Sequence, residues 1–406
     1  MNVIFVEPSF PNNQREFVRA LHSTGATVWG LGERPYDWLD GELKGWLAGY
    51  ERIGSVTDEG QVIAAVRRLQ SHLWVDRLEA TVEAHILPIA RAREACTIPG
   101  LSARAAWLCR DKVAMKEVLR RAGVPCAASA AVSSAHEARE FAQRVGFPLI
   151  VKPRDAAGAK GTHRVDDWHQ LGAVVHETGI AQGAPAAVEE FVVGHEGFYD
   201  TLTVDGRVAH DFVSHYYPNV LDAMRNRWIS PQIVATNRMG AADYQELYAM
   251  GRRVIEALGI GTAATHMEWF FGPKGLRFSE IGARPPGVGQ WDVYCAANEF
   301  DLYREWALAV THGTTDRPAS RRYACGMIAF RPDQDGQIRG YEGADEIWRR
   351  WGGNIVAQHF PEPGTPTQPI EAGYMANAWM RVRHEDYDEL CRILDTIGRT
   401  IRVRAG

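Results

Sequence analysis

Two short runs, His266-Met267-Glu268-Trp269-Phe270-Phe271 and Leu276-Arg277-Phe278-Ser279-Glu280-Ile281, are apolar enough to be buried strands, yet each holds one glutamate. A carboxylate inside an apolar strand is costly unless it meets a cation or a paired base. The turn between the runs, centred on Lys274, makes them a hairpin. Residues 268 and 280 stand opposite each other only if paired numbers sum to 548, which puts Lys274 at the middle of an odd-length turn. A three- or five-residue turn, or a bulge, meets that condition and puts both carboxylates on one face. Two hard oxygen ligands on rigid strands suit magnesium. Arg284, four residues beyond Glu280, is placed to reach a transferring phosphoryl group or a bound carboxylate through its fork of donors. The alternative is a pair of surface glutamates, disfavoured because Trp269, Phe270, Phe271, Phe278 and Ile281 leave little polar face.

A second signal is Pro148-Leu149-Ile150-Val151-Lys152-Pro153, followed by Asp155-Ala156-Ala157-Gly158-Ala159-Lys160-Gly161-Thr162. An apolar strand that delivers a lysine just before a loop of small residues offers a point charge and a cradle of amides, which is what a polyphosphate needs. Alone, the same pattern describes a lysine snorkelling from a strand end. Asp111-Lys112 opens a helical stretch upstream, and Val188-Glu189-Glu190-Phe191-Val192 with Glu196 follows downstream. A strand end of that kind can present main-chain donors and acceptors to an adenine edge, with a carboxylate for ribose hydroxyls.

The chain opens with a strand at Val3 to Val6, a helix from Asn13 to Ser23 and a strand at Ala26 to Gly30, a β-α-β unit of a parallel α/β domain. Its first turn is Glu7-Pro8-Ser9-Phe10-Pro11-Asn12, without the glycine fingerprint of a dinucleotide site. A long helix is expected from Ala103 to Ala122, stopped by Gly123 and Pro125, and others from Asp243 to Leu258 and Asp386 to Ile397. The 406 residues suggest two to four domains, and 45 basic against 50 acidic residues give no cationic field for nucleic acid or an anionic membrane. The start MNVIFVEPSF carries no basic leader, so a cytoplasmic protein is expected. Six cysteines without a C-x-x-C pair point to free thiols.

Taken in order, these motifs resemble the ATP-grasp superfamily over about residues 97 to 312, and within it the carboxylate-amine ligases, including L-amino-acid ligases. The tail is similar to that of biotin-carboxylase-like members. The resemblance implies a mixed α/β and α+β multidomain chain: an N-terminal parallel α/β domain (1–105), a first ATP-grasp lobe with a mobile lid (106–190), a catalytic lobe (191–314) and a C-terminal subdomain completing it (315–406). It implies ATP and Mg2+ as cofactors. Lys112 and Lys152 would lie on the phosphates under a loop that includes Gly158, Lys160, Gly161 and Thr162. Glu189, the Glu190 carbonyl and the Val192 amide would hold adenine, and Glu196 the ribose. Glu268 and Glu280 would bind magnesium, and Arg284 would steady the transferred phosphoryl group. One departure stands out: many members carry Asn two residues after the second metal glutamate, where this chain has Gly282, so that ligand would be water or absent.

The implied reaction activates a small-molecule carboxylate as an acyl phosphate and joins it to an amine, with no enzyme nucleophile. Small-molecule carboxylate and amine partners are implied, with room for a homodimer. For the substrates, His215, Tyr216, Arg225, Arg227 and Trp228 form a dense aromatic and cationic segment, and Arg284 and Gly287 flank the acyl end. The rival readings are a purine-biosynthesis or biotin-carboxylase-like enzyme using formate or bicarbonate, a non-catalytic ATP-binding scaffold, and a nicotinamide oxidoreductase. The first is disfavoured by the missing glycine-rich turn, the second by the retained glutamates and arginine, the third by the missing fingerprint.

Overall fold

The computed structural model describes residues 1–154, 161–224 and 226–406. The opening apolar run is strand β1 (Asn2–Val6), joined in a parallel sheet by β2 (Thr27–Gly32), β3 (Leu47–Arg52) and β4 (Arg77–Glu79) in the order β3-β2-β1-β4. Its residues are apolar at consecutive positions because both faces are covered. Val3 and Phe5 pack with Phe17, Val18 and Leu21 of helix Gln14–Ser23, whereas Ile4 and Val6 pack with Val62, Val66 and Ile89 from helices Glu59–Gln70 and Glu83–Ala95.

The helix expected from Ala103 to Ala122 is two helices, Ala103–Leu108 and Lys112–Arg121. Asp111 makes the break, because its side chain accepts bonds from the amides of Val113 (3.2 Å) and Ala114 (3.0 Å) and caps the second helix. Next come β5 (Ser129–Val132), β6 (Leu149–Pro153), β7 (His163–Val165) and β8 (Ala186–Glu190), an antiparallel sheet of order β5-β8-β6-β7. Helices Ala135–Val145 and Trp168–Glu177 pack against Leu149, Val151, Val165 and Val188 of that sheet.

The largest sheet contains, among the described residues, β9 (His195–Val204), β10 (Arg207–Tyr217), β11 (Gln232–Ala235), β12 (Ala263–Gly272), β13 (Gly275–Gly282), β14 (Ala324–Phe330), β16 (Ile355–His359) and β17 (Ala378–His384). Its order is β13-β12-β9-β10-β11-β14-β17-β16, antiparallel throughout, and β15 (Ile338–Glu342) pairs separately with β18 (Arg402–Ala405). Helix Gln245–Leu258 starts two residues later than the expected Asp243, after a short 3-10 turn, and the final helix is Tyr387–Thr400. No helix among the described residues is long and apolar enough to cross a membrane.

Candidate active site

The hairpin of β12 and β13 closes on two residues, Pro273 and Lys274, not on an odd-length turn. Gly272 pairs with Gly275, and Trp269 with Phe278, so paired numbers there sum to 547. A bulge at Ser279 then shifts the register, and Glu268 stands opposite Glu280. The bulge decides where Glu280 points. Leu276 and Phe278 are buried in the core, and strict alternation would put Glu280 beside them. The extra residue sends Ile281 to the core instead and turns Glu280 to the face that carries His266, Glu268 and Phe270.

That face borders a cleft of about 460 Å³ between the β5–β8 sheet and the eight-stranded sheet. Of the residues singled out in the sequence, Lys112, Lys152, Thr162, Glu189, Glu190, Val192, Glu196, Tyr216, Glu268, Glu280, Arg284 and Gly287 line it. Gly161 takes a left-handed φ of +68° beside Pro153, just before Thr162. Gly158, Lys160 and Arg225 lie outside the described residues.

The cations come from the helix and the smaller sheet. Lys112 and Lys116 are one helical turn apart and both buried, so they leave the helix on the same face. Lys152, at the end of β6, arrives beside them. Glu189 lies between two of these ammonium groups, 2.8 Å from Lys116 and 2.8 Å from Lys152. Burial pushes its carboxyl up, but Lys116 and Lys152 more than offset that and hold it at about 2. Its carboxylate is thus a clamp on the lysines. Burial lowers the Lys116 ammonium. For Lys152 burial acts the same way, but Glu189 and Glu280 outweigh it and the ammonium is raised.

Across the cleft, Lys112 and Lys152 approach Glu280 at only 3.6 and 4.0 Å. Glu268 has His266 Nε2 and the Tyr216 hydroxyl at 3.5 Å each. These long contacts contrast with the tight grip on Glu189 and leave carboxylate oxygens of the opposed pair to take a hard cation, so the donor set fits magnesium. Behind Glu268, His266 Nδ1 lies 2.7 Å from Asp200, which also accepts a bond from the Tyr294 hydroxyl at 2.5 Å. Burial lowers the imidazole, yet Asp200 outweighs burial and raises it to about 9. Glu196 is pushed up to about 8 by burial and then by Glu268, while its Oε2 accepts a 2.7 Å bond from the Val220 amide. Glu190 turns the other way on β8 and meets Lys274 at the hairpin tip.

Three candidate substrate residues are corrected. His215 alternates with Tyr216 along β10 and therefore faces away from the cleft, 2.9 Å from His195 and 2.8 Å from the Tyr244 hydroxyl. Arg227 pairs with Asp335 at 2.6 Å, and Trp228 is 78% exposed. Neither lines the cleft. Lys116 and His266 line the cleft as well, beyond the residues expected from the sequence. The four-residue spacing from Lys112 and the two-residue spacing from Glu268 were the signals that could have found them.

Opposed cations and carboxylates thus face each other across a cleft between two antiparallel sheets. Residues 117–300 match the model of the ATP-grasp domain. Relatives include the alanine–anticapsin ligase of Bacillus subtilis (strain 168), 24% identical over 52% of this chain and 48% of that one. Another is the L-arginine-specific L-amino acid ligase of Bacillus subtilis, 27% identical over 53% of this chain and 52% of that one. The chain thus spans about half the length of the curated relatives it matches. Among solved structures, the L-amino acid ligase from Bacillus licheniformis superposes with a TM-score of 0.78 over 100% of this chain and 98% of that one, at 16% identity.

Proposed function

We propose that the protein is an ATP-dependent carboxylate-amine ligase of small molecules, joining an amino acid or similar carboxylate to an amine with release of ADP and phosphate. The observation that carries this reading is the opposition of Lys112, Lys116 and Lys152 to Glu268 and Glu280 across one cleft, with Arg284 at its margin. The ligase names of the relatives support it.

In this reading the lysines neutralise the phosphates, and Glu189 fixes Lys116 and Lys152 so that little reorganisation remains for the reaction itself. The main chain at Glu190 and Val192 faces adenine, and Glu196 the ribose. Glu268 and Glu280 would hold Mg2+, which would supply charge neutralisation at the phosphoryl oxygens. A carboxylate oxygen of the substrate attacks the γ-phosphorus in line, the bond from that phosphorus to the bridging oxygen breaks, and ADP leaves. Arg284 steadies the transferred group. An amine nitrogen then attacks the acyl carbon, the C–O bond to phosphate breaks, and the amine proton passes to solvent. Tyr216 and Gly287, which line the cleft, are the residues this reading assigns to the acyl end.

The test is release of ADP and phosphate from MgATP with pools of amino acids and other small carboxylates, each with pooled amines. Turnover that requires both pools and is lost in Glu280→Gln supports the reading. ATP binding without stimulated turnover in any pool would replace it with a non-catalytic scaffold.

A further inference from the structure

Arg284 is held by a residue from the parallel-sheet unit. Glu83 is the first residue of helix Glu83–Ala95, which follows β4 at the carboxyl edge of that sheet. Its Oε2 accepts a 2.9 Å bond from Nε of Arg284, and its Oε1 accepts one of 3.2 Å from Arg110. The Arg284 fork is tied a second time, through Nη1 to the carbonyl of Pro285 at 2.9 Å. Both side chains are partly buried, with exposures of 25% for Glu83 and 19% for Arg284, so the pair is shielded from competing water.

Gly282 explains how Glu83 gets there. A Cβ at that position would lie 3.1 Å from Glu83 Oε2 and 3.5 Å from Cγ and Nε of Arg284. The Glu83 carboxylate therefore fills the space that a side chain at position 282 would take. Together with Lys112, His266 and Glu280, these three residues surround a water-sized cavity of about 20 Å³ beside the main cleft.

We propose that Glu83 is a positioning residue for Arg284, substituting from a helix of the parallel-sheet unit for the side chain that Gly282 lacks. This rests on the role given above to Arg284 at the transferred phosphoryl group. A guanidinium pinned at Nε and Nη1 keeps one orientation, and a fixed donor serves a transferring group better than a mobile one. The arrangement also ties the parallel-sheet unit to the chemistry through one ion pair.

Orthovanadate, a mimic of the transferring phosphoryl group, can be titrated calorimetrically into the full-length protein saturated with MgADP. Glu83→Gln and Glu83→Ala should weaken vanadate binding on the order of tenfold or more, with MgADP affinity unchanged. Gly282→Asn alone should also weaken it, because the new side chain displaces the Glu83 carboxylate. The double variant Glu83→Ala/Gly282→Asn should regain most of the loss, since the Asn amide oxygen then meets Arg284 Nε. A purely structural role for Glu83 predicts additive losses and no rescue. Unchanged vanadate affinity in both Glu83 variants, or additive losses in the double variant, overturns the proposal while leaving the ligase reading in place. No vanadate binding to wild-type protein with MgADP bound overturns the Arg284 assignment and the proposal with it.

Discussion

Replacing Glu189 by Gln should cost the protein about 3 kcal/mol of stability at neutral pH, and the structure gives that figure by two routes. The Glu189 carboxyl is held at about 2 against an ordinary 4.5. At about 1.4 kcal/mol per pH unit, the gap corresponds to about 3 kcal/mol. The second route is geometric. Glu189 is 5% exposed and Lys116 1%, at 2.8 Å, so the substitution leaves a fully buried ammonium without its counter-charge. Breaking a buried pair in this way costs roughly 3–5 kcal/mol. Because the folded carboxyl is lowered, its contribution is complete above pH 4.5 and disappears as pH falls through 2. Urea unfolding of wild type and Glu189→Gln at a series of pH values should therefore show a gap at pH 7 that narrows below 4.5. Adding Lys116→Met to Glu189→Gln should recover much of the loss, because the fully buried ammonium is gone and Lys152 keeps Glu280 at 4.0 Å. A Gln variant as stable as wild type at pH 7, or a gap that does not narrow in acid, would refute the clamp.

Other consequences are as direct. His266→Asn removes the 2.7 Å contact with Asp200, and its stability deficit should be full below pH 6.5 and vanish as pH rises through about 9, measured by urea unfolding. Arg227→Ala and Trp228→Ala should leave ATP turnover within roughly twofold of wild type, since Arg227 is paired with Asp335, Trp228 is exposed and neither lines the cleft. Gly272→Ala should destabilise by about 1–3 kcal/mol or more, because the added Cβ would lie 2.1 Å from the Val193 carbonyl oxygen; an unchanged urea midpoint would contradict that packing.

The hairpin shows how much of the site was legible in the sequence. Two glutamates in apolar strands are a contradiction that only a shared face resolves, and the condition that 268 pair with 280 follows from strand periodicity. Which device meets the condition did not follow. Turn length and bulge position depend on packing against other strands, and the structure spends a bulge at Ser279 where an odd-length turn was equally consistent. Strand alternation could have separated Tyr216 from His215, and helical spacing could have joined Lys116 to Lys112. The Glu189 clamp and the Glu83–Arg284 pair were out of reach, because each joins residues 37 to 201 positions apart on different elements. Such pairs are fixed by tertiary placement and leave no local periodicity to read.

The most direct test of the ligase reading follows one oxygen atom. With a pool of amino acids labelled with 18O in the carboxylate, plus unlabelled amines and MgATP, attack of the carboxylate on the γ-phosphorus carries one substrate oxygen into each phosphate released. Mass spectrometry of that phosphate should find one 18O per turnover, and none in the Glu280→Gln variant. Phosphate released in step with product but free of label would contradict an acyl phosphate and, with it, the central claim.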